Sequence, residues 1–211
     1  MLKIWGRISS INVRKVVWCA QELGLAFERV DAGRDFGIVQ TPAYRALNPN
    51  SLVPTIEDVL DDGGRVVLWE SNVVVRYLCA RHASGTLYPE PLAARFDAER
   101  WMDWQLCHVL PSMITLFWGL IRTAPGERNV AAIEQARQVV AGSWRLLDEH
   151  LEGRRFVTGD RFTMGDIPIG AFAYRWLALP TERPSLPRLQ AWYERLCERP
   201  AFKRHVMLPL Q

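Results

Sequence analysis

Cysteine is scarce in this 211-residue chain. The four, Cys19, Cys79, Cys107 and Cys197, are widely scattered and none forms a CxxC pair. That spacing excludes a zinc ribbon and a dithiol redox pair, and points to buried thiols in a reducing compartment. Charge of one sign is also missing: the net charge is +3 with no basic block, which gives no reason to expect a nucleic-acid partner. The first residues, MLKIWGRISS, hold no apolar segment of the signal-peptide kind, and no stretch is expected to reach the length of a membrane span. There is no internal repeat and no low-complexity tract. The histidines His82, His108, His150 and His205 have no partner spacing for a metal site or a triad, so no metal is expected. What remains is a cytoplasmic globular protein. Its hydrophobic content of 49% suffices for one large domain or two small ones.

The two halves of the chain follow different patterns. Leu2–Trp5 reads as a strand. Val13, Val16, Val17, Ala20 and Leu23 recur at helical spacing, with Gly24 as a natural stop. Residues 26–31 give a weak second strand, and a loop rich in Gly, Asn and Pro follows, with a short helix near 42–47. Residues 53–57 and 65–69 flank Asp61-Asp62-Gly63-Gly64, a hairpin signal, and residues 71–82 are helical. After about residue 88 strand signals vanish. Residues 93–121 form one long helical pattern with Trp101, Trp104, His108, Thr115 and Trp118 along one side, which Pro111 should kink. Ile133, Ala136, Val140, Leu147 and Leu151 mark a second helix. Thr163 and Asp166 open a third, apolar nearly all round, and Leu189, Trp192, Tyr193 and Leu196 mark a fourth. Residues 87–91 are the linker candidate.

Two short stretches carry chemistry. Glu70-Ser71 stands where a strand gives way to a helix, with Ser71 a good N-cap. The first turn of a helix holds unpaired N–H groups and partial positive charge, so it can bind a carboxylate, while Glu70 beside it could pair with an ammonium. Together these describe a site for the head of an α-amino acid; an ordinary capped helix with a solvated Glu accounts for the same residues. Val53-Pro54 opens a strand with a residue that cannot donate to the ladder. A cis peptide there would free the Val53 backbone to face a peptide ligand.

The β-α-β then β-β-α order, Val53-Pro54 ahead of the hairpin, Glu70-Ser71, Asn48-Pro49, Thr163-Met-Gly-Asp166 and Arg199-Pro200-Ala201-Phe202 together resemble a cytosolic glutathione S-transferase of the bacterial theta-like, Ser/Asn type. The resemblance spans essentially the whole chain. It implies an α/β plus all-α protein, with a thioredoxin-like glutathione-binding domain at residues 1–82. An α-helical domain at 88–211 would contribute a hydrophobic substrate pocket. It implies a homodimer, with glutathione as co-substrate and a small hydrophobic electrophile as the second substrate. Val53 and Pro54 would meet the cysteinyl backbone of glutathione, and Glu70 and Ser71 its γ-glutamyl end. Asn50-Ser51-Leu52 stands where lysines often hold the glycyl carboxylate, a departure from the pattern.

In that family the residue that follows the first strand contacts the glutathione sulfur. No Tyr or Cys lies ahead of Trp18, and Ser10-Ile11-Asn12 matches the Ser/Asn arrangement, so Ser10 and Asn12 are the candidate catalytic residues. A free thiol ionises near pH 8.5. One charge-assisted hydrogen bond of about 1.5–3 kcal/mol lowers that pKa by roughly one to two, enough to make thiolate a main form near neutrality. Helix capping alone accounts for the same residues. The second-substrate pocket is expected to draw on Phe36, Trp104, His108, Phe117, Trp118 and Arg122, with Trp101 in the core and Cys19 a packed thiol. Three activities compete: conjugation of glutathione to small hydrophobic electrophiles, glutathione-dependent disulfide or peroxide reduction on the same site, and a non-enzymatic interaction role for the same fold.

Overall fold

The computed structural model describes residues 1–211. Four strands, β1 (Leu2–Trp5), β2 (Phe27–Val30), β3 (Thr55–Val59) and β4 (Arg65–Trp69), form one mixed sheet in the order β2-β1-β3-β4. β1 and β2 run parallel, joined by helix α1 (Ile11–Glu22) as the crossover, whereas β3 pairs antiparallel with both β1 and β4. The β3–β4 hairpin turns at Gly63, whose φ of +83° needs glycine, and Asp62 Oδ1 accepts the Gly64 N–H at 2.8 Å. Helix α2 (Pro42–Leu47) is capped by Thr41, and α3 (Ser71–His82) follows β4 directly. The remainder is helical: α4 (Leu92–Trp104), α5 (Leu110–Phe117), α6 (Val130–His150), α7 (Asp166–Ala178), α8 (Pro187–Cys197) and α9 (Pro200–His205). α1 is buried almost all round because it lies between α3 and α7. One continuous apolar cluster runs from Ile4 and Val16 through Trp18 to Trp144, Phe172 and Phe202.

Several expectations change. The helix through residues 92–122 is unbroken, but π-type turns sit at residues 105–109 and 118–122. The first absorbs Pro111: the proline lacks an N–H and crowds the carbonyl four residues back, and the Leu110 N–H reaches instead to Gln105 O, five residues back. This 31-residue helix is long and apolar enough, by length and composition, to cross a membrane, contrary to the sequence expectation. Its apolar residues have another use here, with Met102, Val109, Met113 and Leu116 packed against α6 and α7. Ser71 is not the cap of α3. Glu70 holds that position, at φ +68° and ψ +108°, and Ser71 is the first helical residue. Thr163 is not the cap of α7 either: Gly165 holds that position and Asp166 is the first helical residue, although Asp166 Oδ2 accepts the Thr163 N–H at 3.0 Å and Thr163 Oγ1 accepts the Gly165 N–H at 3.3 Å. Not every thiol is buried. Cys19 and Cys79 are, with sulfurs 3.6 Å apart, but Cys107 is exposed and Cys197 half-buried.

Candidate active site

The β1–α1 junction makes one wall of a cleft of about 410 Å³. Gly6 ends β1 at φ +151°, where a Cβ would stand 2.4 Å from Val13 Cγ2, so the chain turns tightly onto α1. Ser10 takes the N-cap position of α1 with extended backbone, yet its hydroxyl makes no capping bond. Asn12, in the first turn, has a buried Oδ1 without a partner. Both side chains line the cleft at a helix N-terminus, where unpaired N–H groups concentrate positive potential.

The second wall is the approach to β3. Val53–Pro54 is cis. Ser51, Leu52 and Val53 line the cleft, and the Val53 N–H and C=O have no backbone partner within the chain. The β3–β4 register pairs Thr55, which follows Pro54, with Trp69, which precedes Glu70, so the two stretches meet at one end of the sheet. Glu70 is exposed and sits outside the cleft proper, at a positive φ that costs a non-glycine residue on the order of 1–3 kcal/mol. Ser71 is buried, and its hydroxyl accepts from Lys15 Nζ at 3.3 Å.

Lys15 is itself wholly buried. Its ammonium also donates to Asn72 Oδ1 at 3.1 Å and Gln105 Oε1 at 3.0 Å. Burial, and then the Arg175 charge, pushes its pKa down to about 7, against the opposing pull of Glu70.

The third wall comes from the helical half. Phe117, Trp118 and Arg122 line the cleft, as their pattern along the helix implies. Phe36, Trp104 and His108 do not. Phe36 points outward from a short turn at residues 34–36 and is 53% exposed. Trp104 packs into a core cluster with Trp101 and Trp144, and His108 stacks on it at 6.4 Å. The π-type turn at 105–109 explains the divergence. It adds one residue to the turn and rotates the helix phase by about 100°, so Trp104 and Trp118 do not share a face.

The cleft is also far from uniformly apolar. Ile11, Val39 and Leu52 share its surface with Arg7, Arg34, Arg122 and Arg175. Phe117 lies between two of the guanidiniums, with Arg175 Cζ 4.0 Å and Arg122 Cζ 4.9 Å from its ring. Burial lowers the pKa of Arg7, Arg122 and Arg175, the last to about 9, and neighbouring arginines lower each further. Of the four arginines that line the cleft, only Arg122 is a pocket residue on the sequence reading. Arg175 had a readable signal, a charge inside a helix otherwise apolar all round. Lys15 had the same, on the buried stripe of α1.

Known proteins match this chain along its length. The glutathione S-transferase N-terminal domain family matches residues 9–81, and the C-terminal domain family matches residues 130–195. Glutathione S-transferase GstB of Escherichia coli K12 is 40% identical over 210 residues, covering 100% of both chains. Glutathione S-transferase 3 of Zea mays is 29% identical, over 97% of this chain and 93% of its own. Among solved structures, the theta class glutathione S-transferase of Xanthomonas axonopodis pv. citri with glutathione bound superposes with a TM-score of 0.94. It is 48% identical and covers 100% of this chain and 99% of that one.

Proposed function

The chain belongs to the glutathione S-transferase family and is a glutathione transferase, and from that premise we propose how its own residues run the reaction. Glutathione lies along the end of the sheet. The Val53 N–H and C=O pair with its cysteinyl backbone beside Pro54. The first turn of α3 at Ser71 takes the γ-glutamyl carboxylate, and Glu70 takes the ammonium. Ser10 and Asn12 face the sulfur and hold it as thiolate, which attacks an electrophilic carbon of a small molecule seated against Phe117 and Trp118.

One observation carries the sulfur assignment. Ser10 stands where a serine ordinarily caps its helix, and its hydroxyl caps nothing; the Asn12 side chain beside it is equally unspent. Both are free to bond to a ligand. We divide the labour between residues 1–82, which hold glutathione, and 88–211, which wall the second substrate. We place the work in the cytoplasm, where glutathione is kept reduced. We infer a homodimer as well. Exposed Trp69, Val73, Leu92 and Phe96 lie on β4, α3 and α4, and Arg76 of α3 ties to Glu99 and Asp103 of α4, so these elements adjoin.

The test is an ultraviolet titration of bound glutathione against pH. The thiolate band should rise well below the pH at which free glutathione ionises. Ser10→Ala or Asn12→Ala should move that midpoint up by about one to two pH units and lower turnover far more than glutathione affinity. Full turnover in both single variants and in the double variant would show the sulfur assignment to be wrong.

A further inference from the structure

Arg175 is not explained by glutathione. It is 7% exposed, its Nε is buried without a partner, and it forms no ion pair. Its guanidinium rests on the face of Phe117 and borders the cleft. A buried charge is ordinarily paired or fully hydrogen-bonded, because stripping water from it is costly. The same molecule shows the ordinary case. Arg14, 2% exposed, donates from Nε to Ile8 O at 2.9 Å, from Nη1 to Val206 O and Leu208 O at 3.1 and 3.0 Å, and from Nη2 to Pro209 O at 3.0 Å. Arg175 has none of these.

Arg175 is also in like company. Arg7, Arg34 and Arg122 border the same cleft and none pairs with an Asp or Glu side chain; Arg122 donates from Nη2 to Gln211 O at 3.0 Å, but Arg7 and Arg122 each carry a buried Nε without a partner. Burial first, and then the neighbouring guanidiniums, lowers the proton affinities of Arg7 and Arg122. Glutathione brings two negative groups to this cleft, the thiolate and the glycyl carboxylate, since its γ-glutamyl carboxylate belongs at Ser71. Four guanidiniums exceed both.

We propose that the second-substrate half of the cleft is an anion site, in which Arg175 and Arg122 select electrophiles that carry an oxyanion, most simply a carboxylate, beside a flat apolar portion. The inference rests on the glutathione site proposed above. Phe117 and Trp118 supply the surface for the flat portion, and the guanidiniums the charge. With an aryl chloride carrying a carboxylate, the thiolate sulfur forms the new C–S bond and chloride leaves with the C–Cl electron pair. The carboxylate passes through unchanged, so substrate and product are held alike and the arginines act by positioning.

The test uses calorimetric binding of the intact protein to two S-aryl glutathiones that share a nitrophenyl ring, one with a para-carboxylate and one with a para-carboxamide. The carboxylate should bind at least about tenfold tighter, and the preference should weaken with added salt. Arg175→Met and Arg122→Met should each bring the two affinities toward equality; the second variant guards against misfolding of the first. Equal affinities in the unaltered protein, or a preference that survives both substitutions, would overturn the anion site while leaving the glutathione site intact. Failure of both conjugates to bind would sink the glutathione reading and this inference with it.

Discussion

Lys15 offers the sharpest test of the electrostatics behind the site. Its ammonium is wholly buried on α1 and held by Ser71, Asn72 and Gln105. The fall of its pKa from 10.5 to about 7 comes mainly from lost hydration, with Arg175 adding repulsion. Between those two pH values the unfolded chain carries a proton on Lys15 that the folded chain has largely released, so unfolding takes up protons and stability rises with pH. The penalty is therefore complete below about pH 7 and gone above about 10.5. At about 1.36 kcal/mol per pH unit the ceiling is roughly 5 kcal/mol. Structural relaxation reduces it, so about 2–5 kcal/mol is expected. Lys15→Met keeps the bulk and removes the proton. Urea unfolding of both proteins from pH 7 to 10 should show the wild type gaining on the variant by that amount. The loss of the three hydrogen bonds shifts the difference by a constant and does not tilt it. A difference that stays flat over this range would mean that Lys15 ionises as it does in water, and the account of its burial would be wrong.

Two glycine substitutions should separate close packing from backbone freedom. Gly170 of α7 lies where α1 crosses; a Cβ there would stand 2.6 Å from Leu196 Cδ1 and 3.0 Å from Trp18 Cη2, so Gly170→Ala should cost about 1–3 kcal/mol in thermal or urea unfolding. Gly142, exposed in the middle of α6, has nothing within 4 Å of the same position, so Gly142→Ala should stabilise by about 0.5–1 kcal/mol. Equal effects of one sign would refute the contrast.

The sequence was most legible where local chemistry and global fold agree. The hairpin at Asp61–Gly64, the short helix at Pro42–Leu47 and the stop at Gly24 follow from turn residues and periodicity, and each is found in place. Legibility failed where one residue's backbone departs from the type's preference. Ser71 is a better cap than Glu70 on propensity, but Glu70 takes the cap at a positive φ that no propensity predicts. It failed again at Gln105–Val109, where one π-type turn answers Pro111 and rotates everything beyond it. The arginine-lined cleft is a different case. Arg7, Arg34, Arg122 and Arg175 come from four separate segments, and only tertiary packing turns individually ordinary residues into a cationic wall.

That wall and the buried lysine are not independent. Phe172 lies between them, 5.0 Å from Lys15 Nζ and 5.7 Å from Arg175 Cζ, so the two charges are at most roughly 11 Å apart. At an effective dielectric of about 20, a unit charge at that distance is worth roughly 1.5 kcal/mol, or about one pH unit of proton affinity. Arg175 lowers the proton affinity of Lys15, so an anion that neutralises Arg175 must restore it, and by reciprocity protonation of Lys15 must strengthen anion binding. Lys15 in turn donates to Ser71, where the γ-glutamyl carboxylate is proposed to sit. Filling the second-substrate half of the cleft should therefore recharge the lysine beneath the glutathione half. Calorimetry of benzoate binding in two buffers of different ionisation enthalpy, near pH 7.5, should register uptake of roughly half a proton. The uptake should vanish in Lys15→Met. Binding without proton uptake, or the same uptake in the variant, would show that the two cations do not sense each other and that the halves of the cleft are electrostatically separate.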